Sequence, residues 1–171
     1  MNRPNHILPL IVLSQFAGTS LWFSGNAILT EISKAFQLEK DGLAIVTSSV
    51  LIGFITGTFL YAVTAIADRF NPSVVFFISS LLAAAANLLI LLPQQDFFLL
   101  VLSRFFVGFF LAGIYPVGMK IAAEWYEKGL GKALGYLVGA LVLGTAFPHL
   151  LKQTDWNYNW KNVLMVTSTV A

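Results

Sequence analysis

Residues 65–74 read AIADRFNPSV. An Asp–Arg pair and an Asn-Pro step interrupt a chain that is otherwise apolar over long stretches on both sides. Asn71 tolerates a left-handed turn conformation and Pro72 suits the first position of a helix, so the stretch reads as a tight turn between two helices. Working outward, the flanking apolar runs cover about Leu43–Ile66 and Val74–Leu92, and further runs cover Ile7–Ile28, Phe98–Ala123 and Ala133–Leu151. At 1.5 Å per helical residue, runs of about 20 residues cross a hydrocarbon core of about 30 Å. The segments between them, EISKAFQLEKDG, ADRFNP, PQQD, EWYEKGLGK and KQTDWNYNWKN, are polar and turn-like. A last segment, Lys161–Ala171, has 11 residues and is too short to span. The expected architecture over 1–171 is an all-α integral membrane protein with five complete spans and an incomplete sixth. The chain reads as a fragment of a longer protein, with a re-entrant or interfacial end as the alternative.

Composition supports the bilayer and narrows the function. Hydrophobic residues make up 57% and charged residues 11%, against about 25% charged in soluble domains. Mean hydropathy is +0.78. The net charge of +2 comes with no basic arm, so no nucleic-acid partner is expected. There is no Cys, which excludes disulfides and thiolate metal sites. No His or carboxylate cluster suggests a metal. No G-x-S-x-G or phosphate-binding loop is present, so neither a hydrolase nor ATP use is implied, and no catalytic residue or cofactor is expected. The first span exceeds the apolar core of a signal peptide and contains Gln15, Thr19 and Asn26, which suits a retained helix.

An internal repeat is visible. Residues 10–16, LIVLSQF, align with 99–105, LLVLSRF, placing Gln15 on Arg104 at an offset of 89. Gly57-Thr58 and Asp68 align with Gly144-Thr145 and Asp155 at 87, and Asn71, Val75 and Ser80 with Asn159, Val163 and Ser168 at 88. A three-span unit repeated once must be inverted, because three crossings reverse sidedness. Inverted 3+3 repeats within a six-helix half are a transporter architecture.

Two motifs carry a family resemblance. Ile66, Ala67, Asp68 and Arg69 fit the loop motif G-x-L-A-D-R-x-G-R-[RK], with Thr64, Asn71, Pro72 and Ser73 departing from it. Leu100, Arg104 and Gly108 fit L-x-x-x-R-x-x-Q-G, with Val107 in place of Gln. In this order and spacing the chain resembles the amino-terminal half of a major facilitator superfamily (MFS) transporter. The resemblance implies a missing carboxy-terminal half, an amino terminus on the inner side, and a multi-pass position in the cell inner membrane. It also implies that Asp68, with Arg69 beside it, acts as a conformational latch between halves. The drug-antiporter signature G-P-x-x-G-G is missing from span five, although Gly135, Gly139, Gly144 and Pro148 are present. Charge bias decides no orientation: five cations against four. Trp125 and Tyr126 mark one interface, and Trp156, Tyr158 and Trp160 the other.

Candidate substrate-binding residues come from polar groups inside spans. Arg104 is an intramembrane charge, and such residues normally face a cavity or a partner; the bland alternative is snorkelling to the near surface. Gln15, Thr19, Trp22 and Asn26 share one face of span one, as substrate-path groups or as interhelical glue. Arg104, Gly108, Leu111 and Tyr115 share a face of span four. Gly53/Gly57 and Gly135/Gly139 form G-x-x-x-G pairs suited to close helix contact, and Pro116 and Pro148 are expected kink sites. His149 is expected to be interfacial. The expected function is a secondary active transporter, symporter or uniporter, working by alternating access on a small-molecule substrate. Arg104 favours an organic or inorganic anion. The alternative is a complete six-span channel or accessory membrane protein.

Overall fold

The computed structural model describes residues 6–92, 96–153 and 159–171. Asp155, Trp156 and Tyr158, used in the repeat and the aromatic belt, lie outside them. The described residues form α1 (Ile7–Ala27), α2 (Leu29–Ala35), α3 (Lys40–Thr64), α4 (Ile66–Arg69), α5 (Pro72–Leu88, extended by a 3-10 turn Leu89–Leu91), α6 (Phe97–Leu111), α7 (Tyr115–Trp125), α8 (Leu130–Gln153) and α9 (Trp160–Val170), with no strand among them. Five helical stretches are long and apolar enough to cross a membrane, with α6 and α7 together making the fourth.

Local chemistry explains the boundaries. Asn71 caps α5, its side-chain oxygen accepting from Ser73 N at 2.9 Å with Pro72 behind it. Asp96 and Asn159 cap α6 and α9 in the same way, each at 3.0 Å. The turn between spans two and three begins six residues before Asn71: Ala65 takes φ 51°, a left-handed conformation uncommon outside glycine, and the single turn of α4 follows. In lipid a free hydroxyl needs a partner. Ser20, Ser24, Ser49 and Thr56 donate back to carbonyls three or four residues earlier on their own helices.

Two parallel helix pairs frame the bundle. In the α3–α6 pair, a Cβ on Gly53 would collide with the Phe105 carbonyl, one on Gly57 with that of Phe109, and one on Gly108 with that of Val50. Only glycine permits this backbone contact. In the α1–α8 pair, a Cβ on Gly144 would sit 2.8 Å from Thr19 Oγ1. Lys152 Nζ donates to Ala27 O at 3.3 Å and pairs with Glu31 at 2.9 Å, which ties the ends of α8, α1 and α2. The other G-x-x-x-G pair behaves differently. A Cβ on Gly135 or Gly139 would meet nothing within 4 Å, because both face out of the bundle.

The remaining spans are joined by polar bonds through the core. Buried Asn87 donates to Ser168 Oγ at 3.0 Å and lies 3.5 Å from Ser24 Oγ, so it links α5, α9 and α1. Ser103 donates to Ala86 O at 2.6 Å, and Tyr61 pairs with Ser79 at 2.9 Å.

Candidate functional site

Span four is broken near its middle. Between α6 and α7, the amides of Ala112, Gly113 and Ile114 bond three residues back rather than four, at 3.3, 2.9 and 3.0 Å. Pro116 then supplies no N–H. The break at residues 112–114, with Pro116 in the first turn beyond it, divides the span into two half-helices, whereas Pro148 sits inside a continuous α8. Tyr115, the first residue of α7, is half-buried at this break.

Arg104 lies seven residues into α6, about 10 Å along the helix axis. Its side chain is 2% exposed and does not snorkel. Nη2 donates to the Trp22 carbonyl of α1 at 2.9 Å. Nη1 is enclosed and has no hydrogen-bond partner. Space for the guanidinium comes from Gly25, where a Cβ would collide with it. Among the described residues, the ion pairs do not involve Arg104. The result is an enclosed cation with one donor committed to backbone and another unused, a situation that costs free energy unless something else completes it.

The proposed face of span one divides. Gln15 is fully buried with both amide atoms unpartnered, and it presses against Gly118 of α7. Thr19 is fully buried, donates to Gln15 O at 2.7 Å and faces α8 at Gly144. Trp22 is half-buried, with its ring edge-on to Phe54 at 5.5 Å. Asn26 is exposed near the end of α1. Arg104 and Trp22 are thus brought together. Gln15 meets the other half of span four, Asn26 is exposed, and Tyr115 is half-buried at the break.

At the opposite end of the bundle, Asp68 forms an ion pair with Lys120 of α7, and Lys120 also lies 3.9 Å from Glu124. Arg69 is exposed. A cleft of about 220 Å³ opens beside the pair, lined by Thr58, Tyr61, Asp68, Pro116 and Lys120 among others. Sequence reading missed Lys120 as a partner. The Lys120–Glu124 spacing was visible, but its contact with a residue 52 positions earlier was not. Asn87 was missed as well; an amide in the apolar run AAAANLL was its only signal.

Compared with known families, residues 10–151 match the model of the Major Facilitator Superfamily. Compared with curated proteins, the chain has no match. A match over that much of the sequence shows the family. The chain belongs to the Major Facilitator Superfamily, a family of membrane transporters, and is a multi-pass membrane protein.

Proposed function

We propose that this member of the Major Facilitator Superfamily serves as one half of a secondary active transporter. It moves a small organic or inorganic anion across the cell inner membrane by alternating access. The observation that carries the reading is the enclosed Arg104, with Nη1 unused and no ion pair to it among the described residues. A planar guanidinium with a free donor suits a carboxylate, sulfonate or phosphate. Gln15, Thr19, Trp22, Asn26 and Tyr115 are proposed to line the path as α1 and span four move apart.

The reading includes an inverted 3+3 repeat. Its support is that the parallel pairs α3–α6 and α1–α8 exchange under a swap of spans one to three with four to six. Gly57 and Gly144, aligned in sequence, each lie at the contact of their own pair. A second half is proposed to complete the cavity, and the open glycine face of α8 at Gly135 and Gly139 offers it a close-contact surface. Asp68 is proposed as the latch, held within its own half by Lys120. Energy comes from a proton gradient or from the substrate's own gradient.

The test is counterflow in proteoliposomes across a panel of labelled carboxylates, sulfonates, phosphates and neutral sugars. Saturable counterflow of an anion, lost in Arg104→Gln, is expected. Flux without counterflow would support the channel alternative instead.

A further inference from the structure

Four enclosed polar atoms without a hydrogen-bond partner fall along one face of α1. They are Nε2 and Oε1 of Gln15, Oγ of Ser80 and Nη1 of Arg104. Their residues are 0%, 3% and 2% exposed. The face is that of residues 15, 18, 22 and 25, spaced 3, 4 and 3. Gln15 belongs to it and presses on Gly118 of α7. Ser80 of α5 meets it at Gly18, where an added Cβ would lie 3.5 Å from Oγ. The guanidinium of Arg104 meets it at Gly25 and donates to the Trp22 carbonyl. The unmatched groups thus follow the crossing of α1 with span four, with Ser80 entering from α5.

The two ends of this line differ in chemistry. At one, Arg104 offers a cationic donor. At the other, the Gln15 amide and the Ser80 hydroxyl are neutral and can each donate and accept. From Trp22 back to Gln15 is seven residues, about 10 Å along α1. Between the ends, Leu21 of α1, Leu111 of α6 and Ile114 at the break are buried in one apolar cluster. A cavity of about 300 Å³ lies against Ser80, lined also by Ser14 and Ala17 of α1 and Phe76 of α5. We propose that the substrate is an organic anion with one carboxylate, an apolar chain of about 10 Å and a neutral hydroxyl or carboxamide at its far end. The carboxylate meets Arg104 and the far group meets Gln15 and Ser80 when α1 and span four part. The inference rests on the transport reading of Arg104 and narrows it. Inorganic phosphate reaches Arg104 alone and leaves Gln15 and Ser80 unmatched. A dicarboxylate places a second charge beside a neutral amide and hydroxyl, which do not repay its desolvation.

The test uses omega-hydroxyoctanoate, octanoate, suberate and inorganic phosphate. Counterflow in proteoliposomes and the ligand-induced rise in unfolding temperature are measured for each. Half-saturation is expected at a concentration at least about tenfold lower for omega-hydroxyoctanoate than for the other three, since each of those leaves an enclosed polar group or a charge unmatched. Gln15→Leu and Ser80→Ala should each narrow the gap between omega-hydroxyoctanoate and octanoate, whereas Arg104→Gln should weaken both alike. The ratio of the two ligands is the readout, so a general change in rate or stability does not imitate the effect. Equal half-saturation for these two, tighter phosphate or suberate, no response to omega-hydroxyoctanoate, or an undiminished gap in both variants would each overturn the proposal. Stabilisation by omega-hydroxyoctanoate without counterflow would instead remove the transport reading and leave the two-point site standing.

Discussion

Replacing Arg104 with Lys separates a substrate-binding role from a purely structural one. Nη2 is committed to the Trp22 carbonyl at 2.9 Å and Nη1 is unused. A lysine keeps the charge but is a single point donor on a shorter group. It can serve the Trp22 carbonyl or an incoming anion, but not both in the fork geometry. The loss is one charge-assisted hydrogen bond, about 1.5–3 kcal/mol, or roughly a 10- to 100-fold rise in KM for an anionic substrate. Gly25→Ala gives an independent route to the same point, because the added Cβ collides with the guanidinium. It should raise KM in the same direction, and in the double variant the two effects should fall short of additivity, because both act on one group. The assay is counterflow in proteoliposomes with KM and Vmax resolved separately, together with a thermal unfolding scan. An unchanged KM in Arg104→Lys, with only the unfolding temperature lowered, would show that Arg104 merely fastens α6 to α1.

Other positions give sharper or blunter outcomes. Asp68→Asn and Lys120→Gln should both shift the balance between inward- and outward-accessible states, read by labelling single cysteines introduced into a chain that has none. Thermal stability should change by no more than about 1 kcal/mol, since Asp68 is largely exposed; an unaltered labelling balance would rule out the latch. Gly53→Val should destabilise by about 1–3 kcal/mol or more in detergent unfolding through overpacking against Phe105, whereas Gly135→Val should be near neutral in this chain alone. Asn87→Leu leaves Ser168 without its donor and should cost about 1–3 kcal/mol; an unchanged unfolding temperature would mean the link from α5 to α9 adds nothing.

What could be read from the sequence followed a physical divide. Span number and length follow from hydrophobicity, which is local and additive, so Ile7–Ile28 and Leu43–Ile66 were legible as spans. The capping roles of Asn71 and Pro72 were equally local. Contacts between spans were legible only where residue size alone dictates them, as at Gly53 and Gly57. The same motif at Gly135 and Gly139 looked identical and faces outward, because a motif does not record which side of a helix finds a neighbour. Lys120 illustrates the limit from the other direction: its ion pair depends on where α7 lands after a break in span four, and no spacing rule encodes that. The polar face of span one was legible as a face. Its division between α7, α8 and Phe54 was not, because a different neighbour meets the face at each level.

The distribution of unsatisfied groups bears on where the molecule moves. The parallel pairs α3–α6 and α1–α8 are closed by glycine contacts, and the link to Lys152 secures the end of the second. The crossing of α1 with span four is different. Gln15 lies there with both amide atoms unpartnered against Gly118, and Arg104 with a spare donor against Gly25. Enclosed polar groups without partners weaken the contact that encloses them, because separating the helices lets water or a ligand reach those groups. Under the transport mechanism proposed above, the opening movement therefore belongs to this crossing. The break at residues 112–114 lets α7 move without disturbing α6, whose contact with α3 must hold. Gln15→Leu tests that step. It removes the unpartnered amide with little change in volume, so it should strengthen the α1–α7 contact, raise the unfolding temperature and slow counterflow together. A variant that unfolds earlier while transporting normally would place the weak contact elsewhere.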